Sequence, residues 1–309
     1  MSIDKVKRVL GSLTTCSEWS AQLLKITYSK RHGTAYTGRE ILFSDKRELA
    51  SLVDDIEKHY VAKKKGALDA CQDVANYDGS WVERVIYKLD KNDTLIAKEY
   101  DLLLDALAKS DAEIDPLEFK ARAYVMRGII ETEGEEKPVK LVSMKNPVTT
   151  LKNKFISLNG AFKEITDNVI SLRKTIDVII VDDTVYMLTL AGENLFNMER
   201  AYKAVCREKL DNVGSCDIIS NFDSFKTVAT KGHNPRKFLA FNDEFLQQLT
   251  NIENRQKIAE KFKIPIIEDR FDSSCPETAD KLIKILCNRG MVDPFGNEPV
   301  EVAGSKKWE

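Results

Sequence analysis

The longest apolar stretch of this chain, IDVIIVDDTVYMLTLAG, is cut in its middle by Asp182 and Asp183. A bilayer span needs about 20 consecutive apolar residues, so two adjacent carboxylates at this point exclude a membrane helix here. β-Branched residues crowd both sides of the break, and aspartate tolerates the tight backbone of a turn. The stretch therefore reads as two short buried strands with Asp182 and Asp183 at the turn between them.

Composition agrees with a globular reading. Of 309 residues, 43% are hydrophobic and 31% charged, enough for two modest domains with their own cores. The formal net charge is only -2, so no global basic field advertises nucleic acid, and any such surface has to be a local patch. The N-terminus, MSIDKVKRVLGSLTTCSEW, lacks the long apolar core and cleavage site of a secretory signal. The expectation is a cytoplasmic protein whose membrane contact is peripheral. Cysteines at 16, 71, 206, 216, 275 and 287 contain no C-x-x-C pair. They read as free thiols, mostly interior, and neither a metal nor a cofactor is expected.

Periodicity gives an α+β class, with mixed strands and helices in the N-terminal half and short strands followed by helices in the C-terminal half. EWSAQLLKITYSKRH alternates as a long strand, REILFS reads as its hairpin partner, and the polar GTAYTG lies between them. Asp45 with Glu48 resembles a capping box, opening an amphipathic helix through Leu49, Leu52, Val53, Ile56 and Tyr60 that ends near KKKG. WVERVIYKL reads as a strand and TLIAKEYDLLLDALAKS as a helix. FKARAYVMRGII and KPVKLVSM flank the acidic turn ETEGEEK. After Asn146-Pro147 come FKEIT, SLRKTIDVIIVDD and TVYMLTL as short strands. MERAYKAVCREKL, FNDEFLQQL and NRQKIAEKF are helical. IPII is a short apolar stretch, and PETADKLIKILCNRG is a helix with Pro276 near its start and Gly290 as its C-cap. Two α+β domains are expected, 1–145 and 146–309, with the turn around Asp111 to Asp115 as a join inside the first.

Signatures of catalysis are missing. With His32, His59 and His233 as the only histidines, triads and histidine-metal sites have little to build on. No G-x-S-x-G, H-E-x-x-H, Walker or dinucleotide motif occurs. Asp115, Glu135 and Lys137 have roughly the spacing of a metal-dependent nuclease, in which two carboxylates hold Mg²⁺ beside a lysine. Glu135 and Lys137, however, fall in the acidic turn, so a non-enzymatic protein is expected and a nuclease is the alternative.

Basic clusters are the remaining signal. They are KVKR at the N-terminus, Lys30-Arg31-His32, Lys63-Lys64-Lys65, Lys152 with Lys154, the terminal Lys306-Lys307-Trp308, and TKGHNPRKFLAF. In the last, Lys231, His233, Arg236 and Lys237 gather on a Gly and Asn-Pro turn with an apolar run behind it. Such cations neutralise phosphates whatever the base sequence; a solvated turn before a core element has the same composition. No helix-turn-helix, zinc-finger or stacking pattern accompanies them, so DNA binding here would grip backbone without reading bases.

FKARAYVMRGI with LVSMKNPVTTLK, IDVIIVDDTVYMLTLAGENLFNMERAY, KGHNPRKFLAFN and PVEVAGSKKW together resemble the KwaB family of the two-gene Kiwa anti-phage defence system. The resemblance covers residues 115–309, and the N-terminal third by length and general character. It implies a DNA-binding defence effector that self-associates and works at the inner membrane with KwaA, a small membrane protein encoded beside it. The family supplies no DNA-contacting residues to carry over. The double-stranded DNA site expected from local chemistry is therefore Lys231, His233, Arg236 and Lys237, then Lys63, Lys64 and Lys65, then Lys152 and Lys154. A protein-only scaffold with its basic loops on an acidic partner is a further alternative.

Overall fold

A computed structural model describes residues 3–16, 18–29, 33–43, 45–61, 68, 70–74, 85–109, 119–145, 148–149, 155–158, 161–164, 169–292 and 298–301. The chain divides into two compact units, Met1–Gln72 with Trp81–Met198, and Asp73–Ser80 with Glu199–Glu309.

The first unit is built on an eight-stranded sheet. In chain order it contains α1 (Ile3–Leu10), β1 (Ser20–Ser29), β2 (Gly33–Ile41), α2 (Lys46–Val61), β3 (Ala70–Asp73), β4 (Val85–Asp90), α3 (Ala97–Ala108), β5 (Ala123–Thr132) and β6 (Glu135–Ser143). Two short ladders follow, β7 (Val148–Thr149) with β10 (Val169–Ile170), and β8 (Phe155–Leu158) with β9 (Ala161–Glu164). Then come β11 (Val178–Val181), β12 (Thr184–Met187) and the short helix α4 (Ala191–Leu195). The sheet order is β2-β1-β5-β6-β11-β12-β4-β3.

Turn chemistry sets the hairpins. Asp182 and Asp183 have φ of 48° and 58°, and Glu133 and Gly134 have 56° and 76°. Two successive left-handed residues make the mirror-image turn whose twist matches paired strands, so β11–β12 and β5–β6 are two-residue hairpins. Most of the acidic ETEGEEK run is thus strand, and Glu135 and Lys137 stand on β6 instead of in the expected turn. GTAYTG is also strand: β2 begins at Gly33 and pairs with β1 from Ser29 onward, in full register to Ile41. At Gly38 a side chain would meet the Ala106 carbonyl at 2.6 Å, so glycine lets α3 lie against the sheet.

One face of the sheet packs on α1 and α2, with Val6, Val9, Leu10, Val53 and Ile56 against Leu23, Tyr124, Met126, Leu141, Ile179 and Tyr186. The other carries α3, whose Leu107 carbonyl accepts from Gln22 Nε2 at 3.2 Å and Arg127 Nη1 at 2.8 Å. Because β11 pairs with β6 and β12 with β4, residues 178–187 complete the first sheet. The units accordingly divide at Met198 and Glu199, not at the 145/146 boundary expected from composition.

The second unit is mostly helical. It holds α5 (Met198–Ser215, from Glu199 onward), β13 (Ile219–Ser220), α6 (Phe222–Ala229), α7 (Asn234–Lys237), α8 (Asp243–Gln248), α9 (Ile252–Phe262), β14 (Ile266–Ile267), β15 (Arg270–Asp272), α10 (Pro276–Leu286), β16 (Gly290–Val292) and β17 (Pro299–Glu301). β15 lies between β13, which it meets parallel, and β14, which it meets antiparallel. Leu210, Phe225, Phe238, Phe262, Phe271, Leu282 and Ile283 are among its buried core.

Asn242 and Asn251 cap α8 and α9 by accepting the Phe245 and Glu253 amides at 2.9 and 2.8 Å. Buried Arg255 donates to the Leu249, Thr250 and Asp269 carbonyls at 2.7, 2.9 and 2.7 Å. α10 starts at Pro276 as expected, but its end corrects the sequence reading. Asn288 takes the left-handed position with φ of 58°. The Asn288 and Arg289 amides return to the Ile285 and Lys284 carbonyls, and Gly290 already belongs to β16.

Only Cys206 and Cys287 are fully buried; Cys16, Cys71 and Cys216 are half-buried and Cys275 is exposed. Burial pushes the Cys206 thiol up to about 12 and Cys287 up as well, so both stay protonated and unreactive.

Candidate nucleic-acid interface

The stretch TKGHNPRKFLAF forms a helical turn. Asn234 opens α7 with Pro235 in its first turn, and a single 3-10 turn over Phe238–Ala240 follows. Proline's missing N–H costs nothing at that position, and Phe238 is buried in the core behind. The four expected cations are not equivalent. Lys231 and His233 are exposed and Arg236 is half-buried. Lys237 is only 9% exposed, with Nζ 3.5 Å from Asp280 Oδ1. Burial pushes the Asp280 carboxyl up, yet Lys284 at 2.8 Å and Lys237 outweigh it and hold it below the usual range. Lys237 is thus a core anchor of the second unit, turned away from the surface where a phosphate would sit.

Arg236 points the other way. Its guanidinium stacks over the Tyr202 ring of α5, 5.3 Å from the centroid. It also donates to His233 Nδ1 at 2.8 Å, because arginine has no acceptor. The turn is thereby fastened to α5, and α5 brings cations that the sequence reading passed over. Arg200, Lys203 and Arg207 are all exposed. Their spacing of three and four places them along one side of the helix, beside the buried row of Tyr202, Cys206 and Leu210.

Glu199 ties the two groups together. Its carboxyl is held below the ordinary range first by its bond to Lys203, at 2.6 Å, and also by the charge of Arg236. Arg200 to Arg207 spans about 10 Å of helix, a length over which duplex DNA carries roughly six charges. The signal was present in MERAYKAVCREKL as a 3-4 repeat of cations; it is hidden because the same residues make an ordinary amphipathic helix.

The other basic clusters fare differently. In KVKR, Lys5 pairs with Asp182 at 2.7 Å and Arg8 with Glu133 at 2.8 Å, so both charges are committed to the sheet. Lys30, Arg31, His32, Lys63, Lys64, Lys65, Lys152, Lys154, Lys306, Lys307 and Trp308 lie outside the described residues, as do Asp111 to Asp115. Of the nuclease constellation, Lys137 stands 3.1 Å from Glu135 and 3.5 Å from Asp182. Among the described residues no group of three or more His, Cys, Asp or Glu is placed to hold a metal ion, and no helix is long and apolar enough to cross a membrane.

Fold and surface together define an α+β protein whose helical unit carries an outward basic flank. A family model described as Kiwa protein KwaB-like matches residues 133–292, just over half of the chain. The chain belongs to this KwaB-like family, which implies a role in Kiwa anti-phage defence. The match takes in all of α5 and the 230–241 stretch. No curated protein and no solved structure matches the chain.

Proposed function

We propose that this chain is a non-enzymatic, DNA-binding component of Kiwa defence that grips the duplex backbone and hinders phage DNA functions. It works as a homo-oligomer, held peripherally at the inner membrane by the membrane protein KwaA. The observation that carries DNA binding is the basic side of α5, Arg200, Lys203 and Arg207, with Arg236 of the adjoining turn stacked on Tyr202 of the same helix. Arginine can pair with a guanine edge, but no groove-reading helix motif presents these side chains to a groove, so the proposed contacts are to phosphate, with affinity independent of sequence. Lys63, Lys64, Lys65, Lys152 and Lys154, outside the described residues, are proposed as further phosphate contacts in their own right.

The test is duplex binding by the purified chain across a salt series. If five phosphates are neutralised, affinity falls roughly 10²–10³-fold between about 50 and 200 mM salt, equally for unrelated sequences. Salt-independent binding, or none at low salt, overturns the reading in favour of a protein-only scaffold. Cleavage of the DNA in Mg²⁺ that is lost in Glu135→Ala would replace it with a nuclease.

A further inference from the structure

A second site lies in the first unit, far in chemistry from the basic flank. On the sheet of this unit lies an open groove of about 710 Å³. Its lining includes Trp19, Glu40, Leu42, Arg127, Ile129 and Lys140. The size is that of a small-molecule pocket, and the lining mixes apolar with charged side chains. Leu42 is 87% exposed and Ile129 55%, a large apolar outlay for a surface with no other evident purpose.

The floor is more unusual than the walls. Arg127 on β5 and Lys140 on β6 stand directly opposite each other in register, on the face from which Arg127 reaches Leu107 of α3. Like charges directly opposite across a strand pair are destabilising. Relief within the protein is partial, since Arg127 Nη1 donates to the Leu107 carbonyl. Among the described residues Lys140 has no hydrogen-bond or ion-pair partner, and Arg127 Nε is buried without one. Burial first, and Arg127 second, hold the Lys140 ammonium below its ordinary range, with only Asp183 acting against them. Two adjacent, half-buried cations beside apolar side chains favour an anion from outside. Glu18 and Glu40 also line the cavity, and their carboxylates make it unwelcoming to a long polyanion.

We propose that this cavity is a binding site for a small amphipathic anion, its carboxylate or phosphate head on Lys140 and Arg127 and its apolar body against Ile129 and Leu42. The head chemistry is shared by alkyl carboxylates and nucleoside monophosphates, and the experiment separates them. The full chain is treated with an amine-selective acylating reagent, and modification of Lys140 is followed by peptide mass spectrometry, with Lys231 as an internal control. Octanoate, adenosine monophosphate and inorganic phosphate are the competitors, at equal millimolar concentration.

At least fivefold slowing of Lys140 modification is expected with octanoate or with the nucleotide, and little with inorganic phosphate, while Lys231 is unaffected. Which of the first two protects identifies the body. Equal protection by inorganic phosphate removes the amphipathic requirement, and no protection by any competitor removes the site; either result overturns the proposal. Calorimetry on Lys140→Met and on Ile129→Glu, both at positions that tolerate substitution without opening the core, should show at least tenfold weaker binding of the protecting competitor. Unchanged affinity in both variants overturns the assignment even if labelling is slowed.

Discussion

Basic residues on two helices meet different fates in this protein. On α1, Lys5 and Arg8 are three residues apart, and each is spent on a carboxylate at a hairpin turn, Asp182 and Glu133. On α5, Arg200 and Arg207 project from an exposed side with no ion-pair partner among the described residues. The difference comes from what each helix lies across. α1 crosses the sheet end where two turns have gathered acids, whereas the exposed side of α5 is flanked by a turn that is itself basic. Density of charge in sequence measures how many cations there are; only packing decides how many are left over.

Three variants break or sharpen this contrast, from the largest effect to the smallest. Arg255→Met removes a cation turned inward and strips the Leu249, Thr250 and Asp269 carbonyls of a charged donor. Unfolding in urea should show a loss of about 3 kcal/mol or more; under about 1 kcal/mol would mean that the carbonyls find other donors. Arg200→Glu with Arg207→Glu acts on cations turned wholly outward. Duplex affinity at low salt should drop at least tenfold while stability moves by no more than about 0.5 kcal/mol. If stability falls and affinity holds, the flank is structural.

Lys5→Ala with Arg8→Ala acts on the committed set, and should cost about 1 kcal/mol or less with no change in DNA affinity. That small loss has a pH signature. The Lys5 ammonium holds the Asp182 carboxyl below its usual range. Its contribution is therefore present above the unfolded aspartate value and disappears as pH falls through the depressed folded one. An acid titration of stability should be flatter in the variant over that window, and an unchanged acid limb would remove Lys5 from the account.

Much of the fold was legible in the residues. Asp182-Asp183 between β-branched runs reads as a hairpin because aspartate tolerates left-handed backbone, and Pro276 opens α10 because its lost N–H is an orphan anyway. What failed was non-local. The 145/146 boundary follows a real change of texture, yet β11 and β12 return to pair with β6 and β4, and no local pattern announces that pairing. GTAYTG looked like a loop because its small polar residues hide a strand whose register is fixed by β1. At the site, Lys237 and Arg236 are neighbours of like composition, and only the position of Asp280 and of Tyr202 decides that one faces the core and the other the surface. The cations of α5 were visible as a periodicity but indistinguishable from a solvated helix side.

The placement of β11 and β12 also bears on the order in which the chain can fold as it is made. They sit between β6 and β4 in the sheet, so the β4–β3 pair, synthesised early, cannot join the rest of the sheet until residues 178–187 have emerged. The same late hairpin supplies Asp182 for Lys5 and Asp183 for Lys91, at 2.7 and 2.6 Å. Helices on both faces of the sheet therefore wait for it. Pairings this distant in sequence slow folding, and a ribosome-bound chain halted before residue 178 would expose the unpaired edges of β6 and β4 together.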